Sequence, residues 1–582
     1  MWPFRVDPPF REFGIKALED EYDFIVVGGG TAGCVLARRL SENGQHTVLL
    51  VEQGDAADSW KHKTPLTSNH FSSPDPVHSN KFESVSDSKF ADARPSQTWS
   101  LVNGVGLGGT TRINGGQYTP ACPAEFDAWA EEGRPGWAFA DMKPYFLKAE
   151  KLVCGSQVTD PESPENFNYP CTKVANQAAK DLGFPAVSDL LDPTLPTTCC
   201  YKMKYTLSAD GPRLSSFRAY LPKDYVNSTA NLHICTEAIV SKIGFSVGKG
   251  KDGEEGLRAE SVEIHAPKGD GDITRVVKAR REIVLACGAL GSPKVLLLSG
   301  IGPQEHLKDM GINVIRHTPG VGANLHDHVF VTNIYNCPLP DSFARLAKQP
   351  YLFIAELLKY LIFGTGALLW TIVEMEIFGT ASLFGSDGKL KAGAELKPEL
   401  RPDFAIISVP VAAPNVPGVD YSKGLFAQTI ALMKPESRGT LRLRSTNPAD
   451  TPLCEMNYLS APADYAVLRT AIRVSAHLCK TMQASGYPLE VAAIPEDLDD
   501  DEKLDVFIRR GLQTEYHYAS TCRIANEEDA LPGVLDASLR VHGVAGLRIA
   551  DASVLPGSPA VHPQAVVYAV AEKCADMMLR GV

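Results

Sequence analysis

Residues 22–52 change hydrophobic period twice. YDFIVVGG is a β-branched run, TAGCVLARRLSENG carries helical spacing with a polar end, and HTVLLVE is β-rich again. The predicted order is strand, glycine turn, helix, strand: a βαβ unit. A second βα-like passage, REIVLACGALGSPKVLLLSG, spans residues 281–300 and runs on into IGPQEHLKDMGINVI. The closing stretch begins His562-Pro563-Gln564 and continues through VVYAVAEKCADMML, a helix with Pro563 at its first position. PEDLDDDEK, residues 495–503, reads as a solvated helix start. Polar, proline-rich stretches at 73–96 and 160–170 read as surface loops or insertions. No period of 20 to 50 residues recurs, which argues against a solenoid or propeller.

The greasiest stretch, residues 351–378, has its longest charge-free run at 360–373, 14 residues. A bilayer crossing needs roughly 20, so no transmembrane segment is predicted. Gly364 and Gly366 split the run into two elements around a turn. Buried helices, or the wall of an apolar substrate pocket, are the expectation; docking on a membrane surface is the alternative.

Length and charge narrow the class. At 582 residues the chain exceeds one ordinary core, so two or more domains, or one with insertions, are expected. Its 44% hydrophobic and 22% charged content is that of a folded protein. A net charge of −12 repels phosphate backbones and argues against a nucleic-acid partner. Thirteen cysteines without paired metal spacing cannot all be bridged to one another, which predicts free thiols. Charges and prolines fill the first 24 residues, where a secretory signal needs an apolar run, so a cytoplasmic location is expected. The N-x-S/T triplet at Asn227 is read as a chance occurrence.

Gly28, Gly30 and Gly33 form G-x-G-x-x-G between the first strand and its helix, and Glu52 ends the second strand 24 residues after Gly28. The first glycine permits the tight turn, the second admits a pyrophosphate against the backbone, and the third lets the helix approach the sheet. Glu52 would accept hydrogen bonds from ribose hydroxyls. Together these predict dinucleotide binding. Glycine and threonine dominate residues 103–116, a loop against which something flat or anionic must pack closely.

That loop opens GVGLGGTTRINGGQYTPACPAEFDAW, residues 104–129, which resembles the first signature of the glucose–methanol–choline (GMC) oxidoreductases through Gly108, Gly109, Thr110, Thr111, Ile113, Asn114 and Tyr118. GALGSPKVLLLSGIG, residues 288–302, is similar to the second signature; PGVGANLHDH, 319–328, and LRVHGVAGLRIADASVLP, 539–556, follow the family pattern in order. The resemblance covers nearly the whole chain and implies FAD. It assigns the cofactor contacts to Gly28, Gly30, Thr31, Ala32, Gly33, Glu52, Gly108, Gly109, Thr110, Asn114, Gly115, Val240, Asp551, Ala552, Pro563 and Gln564. Among these, Val240 flanks the adenine, and Asp551 and Ala552 lie by the pyrophosphate and isoalloxazine. The amides after Pro563 point at the pyrimidine edge of the flavin, where a helix N-terminus favours negative charge. Val105 stands where relatives carry a basic residue, which removes a loop or phosphate contact. No histidine occurs between Asn103 and Gln117 to form a covalent flavin link, so noncovalent FAD is expected.

His517 in TEYHYASTCRI and His562 in SPAVHPQAVVY match the family's active-site pair, with His517 as the base. Alcohol oxidation removes a hydride from carbon and a proton from oxygen, and a neutral imidazole within hydrogen-bond reach of the hydroxyl takes that proton. Tyr518 departs from the small residue or proline usual after the base and would narrow the pocket. His326 and His328 are read as structural. Metal binding by that pair lacks an evident third ligand, so no metal is assigned. The remaining histidines, among them His46, His62, His70, His78, His233, His306, His317 and His542, are read as bystanders. No G-x-S-x-G elbow competes for an acyl-transfer reading.

The resemblance implies an α/β protein. A Rossmann-like doubly wound FAD-binding domain would take residues 20–53, 97–127, 215–324 and 532–582. An α+β substrate domain with an antiparallel sheet would take 54–96, 128–214 and 325–531. RPDFAIISVP and GLFAQTIALMKPESRGTLRLRS read as strands of the latter, with Arg438 and Gly439 near a turn. The implied activity is oxidation of an alcohol to an aldehyde or ketone by hydride transfer to flavin N5, with oxygen or a quinone-like compound as acceptor. The apolar residues between Phe353 and Trp370, with Phe378, tilt the expectation toward a hydrophobic or aromatic primary alcohol. The alternative is a non-redox or photochemical FAD enzyme of the same superfamily: a lyase, a cyclase or a fatty acid photodecarboxylase. The sequence does not set the oligomeric state.

Overall fold

The alternation of apolar runs with glycine turns produces two large sheets, of eight strands each among the described residues, and the first is built around β1 (Glu21–Val27). The computed structural model describes residues 10–56, 60–65, 79–150, 167–208, 211–249, 255–266, 273–413 and 416–582. His70, His78 and parts of the loops expected at 73–96 and 160–170 lie outside the described residues.

β1 is followed by helix α1 (Thr31–Ser41) and β2 (Val48–Val51), the βαβ unit read from the sequence. Val48, Leu49, Leu50 and Val51 are all buried, as a strand covered on both faces requires. The first sheet runs 239–249, 255–265, 274–285, β1, β2, 232–235, and strand Leu547–Ile549 adds in parallel beside 274–285. Strand Thr274–Leu285 serves two pairings. Its first half is antiparallel to Glu255–His265, and its second half is parallel to β1, with Val27 opposite Leu285. All pairs from there through β2 to Leu232–Cys235 are parallel. The carboxyl ends of β1, β2 and 274–285 therefore open onto one crevice.

The C-terminal helix Gln564–Arg580 packs along α1, and Arg39 clasps the fully buried Glu572 with two bonds of 2.7 and 2.8 Å. Pro563, read from the sequence as the first helical position, is instead the N-cap, one residue ahead of Gln564.

The second sheet is antiparallel over most of its width, in the order 490–493, 329–337, 424–432, 404–409, 375–379, 199–202, with 186–187 parallel at the edge. The long helix Pro462–Ala484 packs against its central strands. The segments RPDFAIISVP and GLFAQTIALM form strands Phe404–Val409 and Gly424–Leu432, as read. The acidic run forms the predicted helix start, with Asp500 capping Asp501–Gly511. The twelve cysteines among the described residues carry free thiols.

One expectation is corrected. The apolar stretch after residue 350 does form two elements around Gly364, but helix Pro350–Phe363 is not buried. Only Tyr360 is fully enclosed, in a small cluster with Leu368 and Leu369 that is separate from the main core. The helix lies at the periphery, and one edge of it is all that the following turn can cover. Among the described residues no helix is long and apolar enough to cross a membrane.

Gly33 tests the closeness of α1 to the first turn: a Cβ there would lie 1.8 Å from the Gly28 carbonyl oxygen. Gly33→Ala is therefore expected to push α1 off the strand and destabilise the protein by about 1–3 kcal/mol. In thermal unfolding its midpoint should fall well below that of Gly256→Ala, a position with open space around it.

Candidate active site

A cavity of about 650 Å³ runs from the glycine turn after β1 to the two histidines near the C-terminus. Of the sequence-predicted residues, Gly28, Gly30, Thr31, Ala32, Glu52, Gly109, Thr110, Asn114, Gly115, Val240, Asp551, Ala552, His517, His562, Pro563 and Gln564 all line it. Gly33 and Gly108 stand behind this lining. Gly33 serves the packing of helix on strand, and Gly108 takes a left-handed turn (φ 95°) against Arg112 and Phe217.

The near end fits a pyrophosphate. A Cβ on Gly30 would meet no protein atom nearer than 3.9 Å, so the missing side chain leaves cavity rather than packing space. Glu52 does more than wait for a ribose. Its Oε2 accepts from Gly29 N (2.7 Å) and its Oε1 from Gly54 N and Gly106 N (3.0 Å each), tying three loops together. Asp551 is likewise engaged, accepting from Gly288 N, Ser292 Oγ and Ser553 N. Burial raises its pKa against the pull of those donors.

At the middle of the cavity Asn114 Nδ2 donates to Gln564 Oε1 at 2.6 Å, and the buried Arg213 donates to Asn114. Gln564 Nε2 is buried without a hydrogen-bond partner. A buried amide donor left open on a cavity wall at a helix N-terminus suits a ring with carbonyl oxygens. The residues present thus fit FAD.

The far end is set by a short antiparallel zipper. Val329 pairs with Thr514, Phe330 with Gln513, and His326 bridges to Ala519. This brings Asp327 and His328 against residues 514–517. The buried Asp327 carboxylate accepts from Thr514 Oγ1 (2.5 Å), Tyr458 OH (2.5 Å) and His517 N (2.8 Å). Burial pushes its pKa up to about 7, while the three donors pull it down. Tyr516, immediately before His517, adopts a left-handed φ of 62°, a backbone state that only such surrounding bonds hold in place. His326 Nδ1 accepts from Ser558 N at 3.2 Å and so secures the loop leading to His562.

Three imidazoles meet here. His517 Nδ1 lies 3.0 Å from His328 Nδ1 and 3.2 Å from Glu515 Oε2, and His517 Nε2 lies 3.4 Å from His562 Nδ1. His562 Nε2 in turn lies 3.4 Å from the fully buried Glu376. Burial, reinforced by the charge of His562, drives the pKa of His517 well below 6.5. His562 goes the other way: burial alone would lower its pKa, but the charge and hydrogen bond of Glu376 outweigh that and raise it. His328 is held neutral, at about 3, first by burial and then by the neighbouring imidazoles. Two adjacent histidines are thus biased to opposite protonation states.

Glu515, Glu376, Asp327 and Arg213 were not singled out from the sequence. A signal existed for Glu376, a lone acid in the apolar strand Met375–Gly379, and for Glu515, two residues before the predicted base. Glu515 also supplies, with His328 and His517, a trio of ligand atoms that one cation could contact, although no third ligand was evident in sequence. Tyr518 lines the cavity as expected, its hydroxyl accepting from Val102 N at 3.3 Å.

The apolar wall is corrected in part. Of the stretch 351–378, Thr371, Ile372 and Val373 line the cavity, whereas no residue from Phe353 to Trp370 does and Phe378 does not either; Phe82, Phe330, Ile407 and Val409 add apolar surface beside Ile372 and Val373.

Comparison with known proteins agrees along the whole length. A family profile described as GMC oxidoreductase matches in two parts, residues 22–330 and 435–571. An oxygen-dependent choline dehydrogenase from Stenotrophomonas maltophilia is 31% identical over 97% of this chain and 95% of its own. One from Proteus mirabilis is 30% identical over 96% of each. Among solved structures, an FAD-dependent oxidoreductase from Chaetomium thermophilum superposes with a TM-score of 0.81 at 25% identity, covering 96% of this chain and 99% of that one. A fungal aryl-alcohol oxidase gives 0.80 at 25%, covering 97% and 100%.

Removing the Asp327 carboxylate would leave two buried hydroxyls and an amide without their acceptor. Asp327→Ala is expected to lower stability by about 2–4 kcal/mol, measured as a fall in the unfolding midpoint.

Proposed function

The chain belongs to the GMC oxidoreductase family as an FAD-dependent oxidoreductase of alcohols, and from that premise we propose that it oxidises a hydrophobic primary alcohol with His517 as the base and His562 as its cationic partner. The carrying observation is the opposite bias of two imidazoles 3.4 Å apart beside the cavity. Bound FAD, held noncovalently, supplies the acceptor for the hydride leaving the alcohol carbon.

The protein's own groups do the rest. Glu515 and His328 both face His517 Nδ1, which keeps the ring proton on that atom and the lone pair on Nε2. Nε2 accepts the hydroxyl proton. His562 keeps one N–H on Glu376 and turns the other toward Nε2 and the substrate oxygen, where its positive charge stabilises the developing alkoxide. Asn114 and Gln564 orient the ring system, with the helix N-terminus behind Gln564 favouring negative charge on it. Phe330, Ile372, Val373, Ile407 and Val409 exclude water and suit an apolar substituent on the alcohol.

A second reading has one observation behind it. Glu515, whose Oε2 lies 3.2 Å from His517 Nδ1, also lines the cavity, and Tyr516, Tyr518 and Phe330 line it too. A carboxylate among aromatic rings suits a quaternary ammonium alcohol, the substrate type named for the choline dehydrogenase relatives.

An anaerobic panel of benzyl, aliphatic and choline-type alcohols, with flavin absorbance as readout, separates the two. Bleaching by the first two classes and not by choline is expected. Bleaching in the dark also excludes a photochemical or non-redox use of FAD. Admitting oxygen and assaying peroxide then identifies the acceptor. His517→Ala should slow flavin reduction by about 10²-fold or more while FAD stays bound. Activity needs His517 neutral and His562 protonated, so it should rise with pH through the depressed pKa of His517 and fall through the raised pKa of His562. Glu376→Gln removes the charge that raises His562, so the alkaline limb of the reduction rate should move to lower pH; a limb that stays in place refutes the cation role.

A further inference from the structure

Fourteen large apolar side chains stand exposed among the described residues, and six of them, Tyr351, Phe353, Ile354, Leu358, Ile362 and Phe363, belong to the single helix Pro350–Phe363. Tyr351, Ile354, Leu358 and Ile362 follow helical spacing and share one face, each between 49% and 66% exposed. Tyr360, on the opposite face, is 2% exposed. The usual polarity of a surface helix is inverted, with its apolar face outward.

We propose that this helix is a monotopic docking element that lies flat on a lipid bilayer surface. The alternative occupant, a second copy of the chain, is disfavoured by area. A 14-residue helix is about 21 Å long and about 10 Å wide, so two such faces would bury about 400 Å² together, against about 1,200 Å² for a stable complex. Insertion into the headgroup region has no such threshold; it grows with the apolar area of one helix and with nearby cations. Lys348, at the end of the preceding helix Ala344–Lys348, is exposed beside the first turn, and Lys359 lies on the flank. The helix's one carboxylate, Glu356, is turned away from the apolar face, accepting from Ala367 N at 2.7 Å and pairing with Lys359.

Position adds to the case. The buried edge of the helix holds Tyr360, whose hydroxyl meets Thr64 Oγ1 at 2.6 Å; Pro65, the next residue, lines the cavity. On the other side, the turn Ala367–Leu369 beneath the helix leads directly into Thr371, Ile372 and Val373 of the cavity wall. The buried side of the helix is thus joined at two places to segments that run into the cavity wall. The docking itself does not rest on the reaction assigned above.

Flotation of the FAD-loaded full-length protein with phosphatidylcholine vesicles, with and without phosphatidylglycerol, tests the proposal. The protein is expected to float with vesicles, more strongly with the anionic lipid. The triple variant Ile354→Ser, Leu358→Ser, Ile362→Ser should lose about a hundredfold in vesicle affinity. None of the three residues lines the cavity, so oxidation of a small water-soluble alcohol should be unchanged, and bound-flavin absorbance reports that the variant is folded. A protein that stays with the aqueous phase, or a triple variant that floats equally well, overturns the proposal. So does light scattering that finds a dimer dissolved by the triple substitution without any vesicle binding.

Discussion

The far end of the cavity depends on one buried carboxylate. Asp327 takes the backbone amide of His517, the hydroxyl of Thr514 and the hydroxyl of Tyr458, and so fixes a segment whose backbone passes through a left-handed residue, Tyr516, just before the imidazole. Without that anchor His517 has no reason to face His562. The two-residue pairing of 329–330 with 513–514 supplies the direction of approach, and the carboxylate supplies the stop. A carboxyl kept from water is costly, and three donors are what make the burial tolerable.

The same low-dielectric setting produces the contrast between the two histidines. Burial opposes charge on both. Glu376, itself fully enclosed in the strand Met375–Gly379, reverses this for His562 alone. Once His562 is positive, it further discourages a second charge on His517. Burial is thus the main cause that lowers His517, the carboxylate behind His562 raises that ring, and the two neighbours are shifted in opposite directions.

What could be read from the chain follows from how local each constraint is. The turn at Gly28, the open position at Gly30 and the close approach at Gly33 need glycine at fixed offsets beside a strand and a helix, so they are visible in sequence. His517 and His562 were visible because their surroundings resemble a known pattern. Asp327 and Glu515 were not, because their meaning comes from a pairing between segments 187 to 190 positions apart, which leaves no period behind. The apolar run after residue 350 misled for the opposite reason: high hydrophobicity predicts burial only when something is there to cover it, and here the fold offers one edge.

The clasp between Arg39 and Glu572 joins positions 533 residues apart, and the helix carrying Glu572 covers α1. During synthesis α1 therefore leaves the ribosome long before its cover exists; at roughly 5–20 residues per second the delay is about half a minute to two minutes. Throughout that interval the apolar side of α1 is open to other chains. The packing around α1 is therefore completed only once residues 564–580 have been made, so this part of the fold is closed by contacts that span almost the whole sequence.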